Sequence, residues 1–214
     1  MLTRRAIRNT TDRPLPAEFL EWQVKLRAWT MIARNGSPHA GVAPLLAVGQ
    51  PGLGLGVSMH NIICGLLPAT DHVEARTREF RSLYEDHAAE GARAIYDAGI
   101  AYLKTYYRSA ADFDPTSITT LLPADTPVVR ALAATPTCAL LFYVFDLDDR
   151  TEEGRFRCLQ VNAHAEIHRD GALFDNVWWH NAVFHGKVDE HIMIRFLHRS
   201  TYDTRFGSLE ELGR

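Results

Sequence analysis

The sequence predicts an α+β fold: an antiparallel β-barrel of about six strands, interrupted by a helical segment at about residues 71–125. Two observations carry that expectation. Residues 159–168 alternate strictly, with Leu159, Val161, Ala163, Ala165 and Ile167 on one face and Gln160, Asn162, His164, Glu166 and His168 on the other, the pattern of a strand with one side on a core. Residues 138–145 are almost continuously apolar, as in a strand covered on both faces. The polar run 146–154 joins them as a solvated connection, so the two form one long hairpin. Antiparallel hairpins that must hide their edges close most simply into a barrel.

Taken in order, Pro16 opens a helix at its first turn, with Phe19, Leu20, Val24 and Trp29 as its apolar stripe. Residues 29–33 and 40–48 read as two short strands around Asn35-Gly36, a dipeptide that tolerates the positive φ of a hairpin turn. After a turn at Gln50-Pro51-Gly52, residues 55–67 read as a third strand. Gly52, Gly54 and Gly56 look superficially like a nucleotide loop, but a phosphate cradle needs a helix after it and here a strand follows, so a hairpin turn is the better account.

In residues 71–107 Val73, Phe80, Tyr84, Ile95, Tyr102 and Tyr106 recur near helical spacing. Gly91 and Gly99 divide that stretch into two helices or one kinked helix. Glu85, His87 and Glu90 lack the paired Glu-x-x-His pattern of a di-iron bundle and read as a charged outer face. A loop containing Asp114-Pro115 and Leu122-Pro123 leads to a short helix over 126–134, with Thr126 as cap and Pro127 in the first turn. Beyond the hairpin, residues 177–186 read as extended, which places Trp178 and Trp179 on opposite faces, one in the core and one at a pocket or interface. Residues 191–199 alternate and supply the closing strand.

The 214 residues contain no Ser/Gly-rich or Pro-rich linker, which points to a single domain over 1–214. A 46% hydrophobic share can fill a sizeable core, and a net charge of −3 gives no field that would gather nucleic acid or an anionic membrane. Small molecules and proteins are the expected partners. No apolar stretch approaches the ~20 residues of a membrane span, and no apolar run follows Arg4, Arg5 and Arg8 to make a signal sequence. Cys64, Cys138 and Cys158 are too few for a disulfide framework; a Cys138–Cys158 bridge across the hairpin is conceivable, but reduced core thiols in a cytoplasmic protein fit better.

The helix, the paired strands and the helix-to-strand step together resemble the flavin-binding split β-barrel family related to pyridoxamine 5′-phosphate oxidase. The residues that carry the resemblance are Asn35-Gly36-Ser37-Pro38-His39 with Ala43-Pro44-Leu45, then residues 129–132 with Thr135-Pro136, and residues 159–166, over roughly 19–67 and 126–170. It implies an antiparallel split β-barrel, a homodimer, and FMN held in clefts at the subunit interface of an oxidoreductase. Carried over, Arg130 is the basic residue of the helix step and Thr126 its hydroxyl, while Ser58 lies on the strand that contacts phosphate and ring in such barrels. His60 is the one titratable residue where that strand commonly offers an arginine, and Ala163 stands where a glycine is usual. His60, Trp178 and Trp179 would border the ring.

Six of the ten histidines fall in the last third of the chain, which raises a second reading: a metal-dependent or haem-handling barrel using His164, Glu166, His180 and His185. His164 and His168 are about 13 Å apart along a strand, too far to share an ion, whereas His164 and Glu166 at ~6.6 Å could share one with His180 or His185. The alternative to both is hydrogen-bonded sheet and loop histidines. A third reading is a non-enzymatic ligand-binding dimer with the 71–107 helices at its interface. No nucleophile elbow, Walker loop or zinc-protease helix is present, and no catalytic residue can be named.

Overall fold

The computed structural model describes residues 13–33, 43–49, 57–145, 156–203 and 210–212. Five helices and seven strands occur in them, in the order α1 (Ala17–Ala33), β1 (Leu45–Gly49), β2 (Val57–Asn61), α2 (Val73–His87), α3 (Ala92–Tyr106), β3 (Ser117–Pro123), α4 (Pro127–Ala134), β4 (Thr137–Phe145), β5 (Phe156–His168), α5 (Ala172–His185), β6 (His191–Asp203) and β7 (Glu210–Leu212). The strands form one antiparallel sheet in the order β2-β1-β4-β5-β6-β3, with β7 paired to β6. The sheet curls until its two edges meet. After β2 the chain runs on beside β3, where Gly65 N donates to Thr119 O at 2.7 Å and Thr119 N to Gly65 O at 3.0 Å. Thr120 Oγ1 adds a bond to Ile63 O at 2.6 Å. The result is an α+β split barrel.

The β4–β5 hairpin is central, as expected. Its register sets Leu140 opposite Val161 and Cys138 opposite Ala163, and β1 adds Leu46 and Val48 opposite Leu140 and Cys138. Residues directly opposite in an antiparallel pair share a face, so these side chains form one buried wall. The same register pairs Cys158 with Tyr143, five positions from the partner of Cys138, so no Cys138–Cys158 bridge can form; Cys138 is a buried free thiol. Phe19 and Trp22 of α1 close one end of this wall against Phe142, with Phe19–Phe142 ring centres 5.3 Å apart.

Four expectations need correction. Residues 29–33 are the last turns of α1 and not a strand: no breaker precedes Asn35-Gly36, and each added helical residue gains one hydrogen bond once the helix is nucleated. The Asn35-Gly36 turn and residues 50–56 lie outside the described residues. The segment read as a loop around Leu122-Pro123 is β3, which uses Ile118, Thr119 and Thr120 as strand formers and places Pro123 at its end, where no ladder donor is needed. The helical insertion therefore stops at Tyr106. Residues 177–185 of that stretch belong to α5, bracketed by Gly171 and Gly186 at φ 93° and 81°. Asn176, His180 and Val183 follow helical spacing, so Trp178 and Trp179 are about 100° apart and touch edge-to-face at 4.9 Å instead of facing opposite ways.

Helices α2 and α3 divide at Gly91, which holds φ 96°. Gly99 is different: it sits inside α3, and a Cβ there would collide with Val183 and lie 3.0 Å from Phe184 of α5. Arg76 of α2 donates to Glu79 at 2.9 Å and to Tyr102 of α3 at 3.1 Å, and the Tyr102 hydroxyl also donates to Glu79. Asn176 of α5 is tied to Thr77 of α2 at 3.1 Å. The three helices thus pack on one another, and α5 seats the group on β3 and β6. The variant Gly99→Val should lose about 1–3 kcal/mol by overpacking, read as a lower urea midpoint with an unchanged slope, whereas the native glycine's only local drawback is the weak helix propensity of its type.

Candidate functional site

The residues named from sequence fall into two separate regions. Arg130 is exposed on α4 and ion-paired with Asp125, itself 93% exposed, so the pair adds little and can exchange for another anion. Thr126 precedes α4 but donates to Pro123 O at 3.2 Å; it does not cap the helix with its side chain. Helix α4 packs on β1, and Thr135 lies 3.6 Å from where a Cβ of Gly49 would be. Ser58 and His60 are opposite Val48 and Leu46, so both point to the inner side of the wall at its β2 edge. Ser58 Oγ reaches Val48 O at 3.5 Å, and His60 Nε2 is buried with no hydrogen-bond partner. Outward from the same strand project Val57 and Met59, 59% and 55% exposed.

Trp178 and Trp179 belong to the other region. Trp178 Nε1 donates to Val188 O at 3.0 Å, and the Trp179 ring is flanked by Arg81 at 5.6 Å and Lys187 at 5.3 Å. Helix α5 packs on α2, α3, β3 and β6, whereas α4 packs on β1.

The C-terminal histidines are dispersed as well. His164, Glu166 and His168 are on the outward side of β5; Glu166 lies 3.5 Å from His168 and 3.9 Å from Arg195 of β6. His180 packs on Phe80 at 4.9 Å, and His185 is near the end of α5. His198 is buried, with Nδ1 on Arg13 O and Nε2 on Thr201, and burial lowers its pKa below the usual value. Among the described residues no three His, Cys, Asp or Glu side chains are grouped to hold a metal ion. Cys64 and Cys138 are also unsuited to nucleophilic work, because burial pushes each thiol up to about 12.

A cavity that sequence reasoning did not find lies between α1, α3, α5, β3 and the closing segment after β2. Its volume is about 130 Å³, and the exposed Ile63 stands in its lining. Thr119 and Thr120 line one side with their hydroxyls directed at Gly65 O and Ile63 O, and Asn176 is held by α2. Arg27 of α1 reaches it, 4% exposed, with Nη2 donating to Gln23 Oε1 at 3.1 Å. Tyr106, Tyr107 and Phe184 give it aromatic walls. No linear motif signals this site, because its lining comes from five elements far apart in the chain.

On the outer surface of the barrel, Asp114 gathers Thr116, Ser117 and Arg195: Ser117 Oγ donates at 2.5 Å, Thr116 N at 2.8 Å and Arg195 Nη2 at 3.0 Å. Burial alone would raise the Asp114 pKa, but these hydrogen bonds outweigh it and hold the carboxyl below the ordinary aspartate value.

No family model matches the chain, and no curated protein matches it. Among solved structures it is similar to a protein of the pyridoxinephosphate oxidase family from Clostridium acetobutylicum, related to general stress protein 26 (10% identity, TM-score 0.45, 86% of this chain and 94% of that one). It is similar also to an FMN-binding protein from Syntrophomonas wolfei (9%, 0.43, 88% and 91%) and to the haem storage protein HutZ from Vibrio cholerae (9%, 0.46, 86% and 94%). The structures it is similar to are split barrels of the pyridoxamine 5′-phosphate oxidase type. The split-barrel fold of this chain rests on its own strand order and register. No described helix is long and apolar enough to cross a membrane.

The Asp114 cluster has a pH signature. A carboxyl whose folded pKa is depressed stabilises the fold above its unfolded value of about 3.9, and that contribution is lost as pH falls toward the folded value. Acid titration of the urea midpoint should therefore show a loss beginning near pH 4 that is shallower in Asp114→Asn, which itself should cost about 1–3 kcal/mol at pH 7 by removing charge-assisted hydrogen bonds.

Proposed function

We propose that the protein is a homodimeric split-barrel oxidoreductase that holds FMN beside the β1–β2 edge and acts on a small molecule. The observation that carries this reading is Arg130: the helix-to-strand step that resembles flavin-binding barrels forms α4 and β4 over the expected residues, and leaves this guanidinium exposed at the barrel end with only a surface carboxylate to displace. Thr126, three residues from Pro123 O, is close enough in sequence to add a hydroxyl to the same phosphate. Two further features fit. The buried, unpartnered Nε2 of His60 is a polar atom that a cofactor group reaching the open edge of the wall would satisfy. Val57, Met59 and Ile63 give β2 and its continuation an exposed apolar side, which a second copy of the chain would cover.

In this reading FMN supplies the electron-accepting ring, and the chain's residues only bind and orient it. Arg130 neutralises the phosphate, Thr126 hydrogen-bonds it and His60 fixes the cofactor against the wall. Trp178 and Trp179, held on α5, take no part.

The purified protein should show flavin absorbance, or raise its melting temperature when FMN is added. Arg130→Ala should weaken FMN binding about tenfold or more, the worth of one charge-assisted hydrogen bond. A colourless protein whose melting temperature ignores FMN would falsify the reading. For the dimer, Met59→Glu should shift the sedimentation coefficient from dimer to monomer; a protein that sediments as a monomer before mutation removes that part.

A further inference from the structure

Helices α2 and α5 meet at a corner of aromatic side chains that already holds a cation. The Tyr84 and Trp179 rings stand 5.9 Å apart at 65° to one another, so they form two walls of a box. The Lys187 ammonium lies against both, 4.9 Å from the Tyr84 ring centre and 5.3 Å from that of Trp179, within reach of a cation–π attraction to each. Among the described residues no carboxylate pairs with Lys187. The neighbouring arginines each have one: Arg81 with Glu85 and Arg93 with Asp97, both at 2.8 Å. Arg81 also lies 5.6 Å from the Trp179 ring, and Glu85 both holds it there and neutralises it. Lys187 is exposed, in a turn that Trp178 Nε1 fastens through its bond to Val188 O. Beside the corner is an open hollow that shares Tyr84 with it. Buried Ile95, Ala182 and Val183 floor this hollow, and Tyr96 and Phe184, ring centres 5.9 Å apart, form another side. Two helices end here, α2 at His87 and α5 at His185, and their last carbonyls add negative partial charge.

We propose that this corner is a binding site for a small organic ammonium with an apolar body, which displaces Lys187 from the two rings and lays its body in the hollow. Lys187 is a built-in placeholder: its position shows that the two rings accept a cation, and as one exposed side chain it returns to water when displaced. The exchange favours an alkylated ammonium. A lysine ammonium is strongly hydrated and gives up that hydration reluctantly, whereas methyl groups around the charge weaken hydration and bury apolar surface against the rings. An anion is disfavoured in the same place, because the arginines are already paired and the helix carbonyl ends repel it. None of the residues assigned to FMN takes part, so the site stands whether or not a flavin binds.

The test is calorimetric titration of the full chain with choline and, separately, with 3,3-dimethylbutan-1-ol, its uncharged isostere. Choline should bind saturably and about tenfold more tightly than the alcohol, the difference made by two cation–π contacts at a partly exposed corner. Lys187→Gln removes the competing ammonium and should tighten choline binding about threefold, the worth of one exposed cation–π contact. Tyr84→Leu keeps an apolar side chain and removes one ring, and it should bring choline close to the affinity of the alcohol. Where circular dichroism shows that variant unfolded, Lys187→Gln, a change at an exposed side chain, decides alone. The proposal is overturned by any one of four results: no saturable choline binding, equal affinity for the alcohol, choline binding that is unchanged or weaker in Lys187→Gln, or unchanged choline preference in a folded Tyr84→Leu.

Discussion

The closure of the sheet on itself governs the rest of the molecule. A curled sheet leaves two rows of unpaired backbone groups, and here the row on β3 is met by the chain that follows β2, through the reciprocal Gly65–Thr119 bonds and the Thr120–Ile63 bond. Such groups are costly when buried without partners. A Cβ at Gly65 would lie 3.4 Å from Thr119 Oγ1, an ordinary contact, so the closure rests on the backbone bonds and not on a missing side chain. Helices α2 and α3 follow the closing segment in the chain and join the sheet through α5, which packs on β3 and β6.

That arrangement produces two chemically different places. At the β1–β2 edge the groups are partly exposed, and nearby on α4 the Arg130–Asp125 pair is a surface one. Under the helix layer lies a small pocket that the buried Arg27 reaches while hydrogen-bonded to Gln23. Gly99 links the two scales, because the close approach of α3 and α5 that its missing side chain permits sets the height of the cavity roof.

Much of the barrel was legible in the sequence because strands announce themselves locally. The alternation over 159–168 and the apolar run over 138–145 gave β5 and β4, and Thr126-Pro127 marked the start of α4. Gly91 marked a true helix break, since the chain there needs positive φ. Where the reading failed, two local signals competed. Residues 177–186 are rich in Val, Trp and Phe, as strands are, yet the glycines at 171 and 186 and the spacing of Asn176, His180 and Val183 make them helical once a partner helix is present. In β3 the strand formers Ile118, Thr119 and Thr120 were outweighed by the flanking prolines.

By itself, then, the sequence determined the sheet-forming hairpins, the break between α2 and α3, and the helix step that bears Arg130, because each depends on residues within one or two turns of one another. Only the tertiary structure decided which histidines meet, which way Trp178 and Trp179 face, and that Arg27 of α1 and Phe184 of α5 share one cavity. These are separated by tens to more than a hundred residues, and no periodicity within an element records what another element will place against it. Chain closure brings them together, and the pattern of buried backbone hydrogen bonds at Gly65 and Thr119 is what closes the chain.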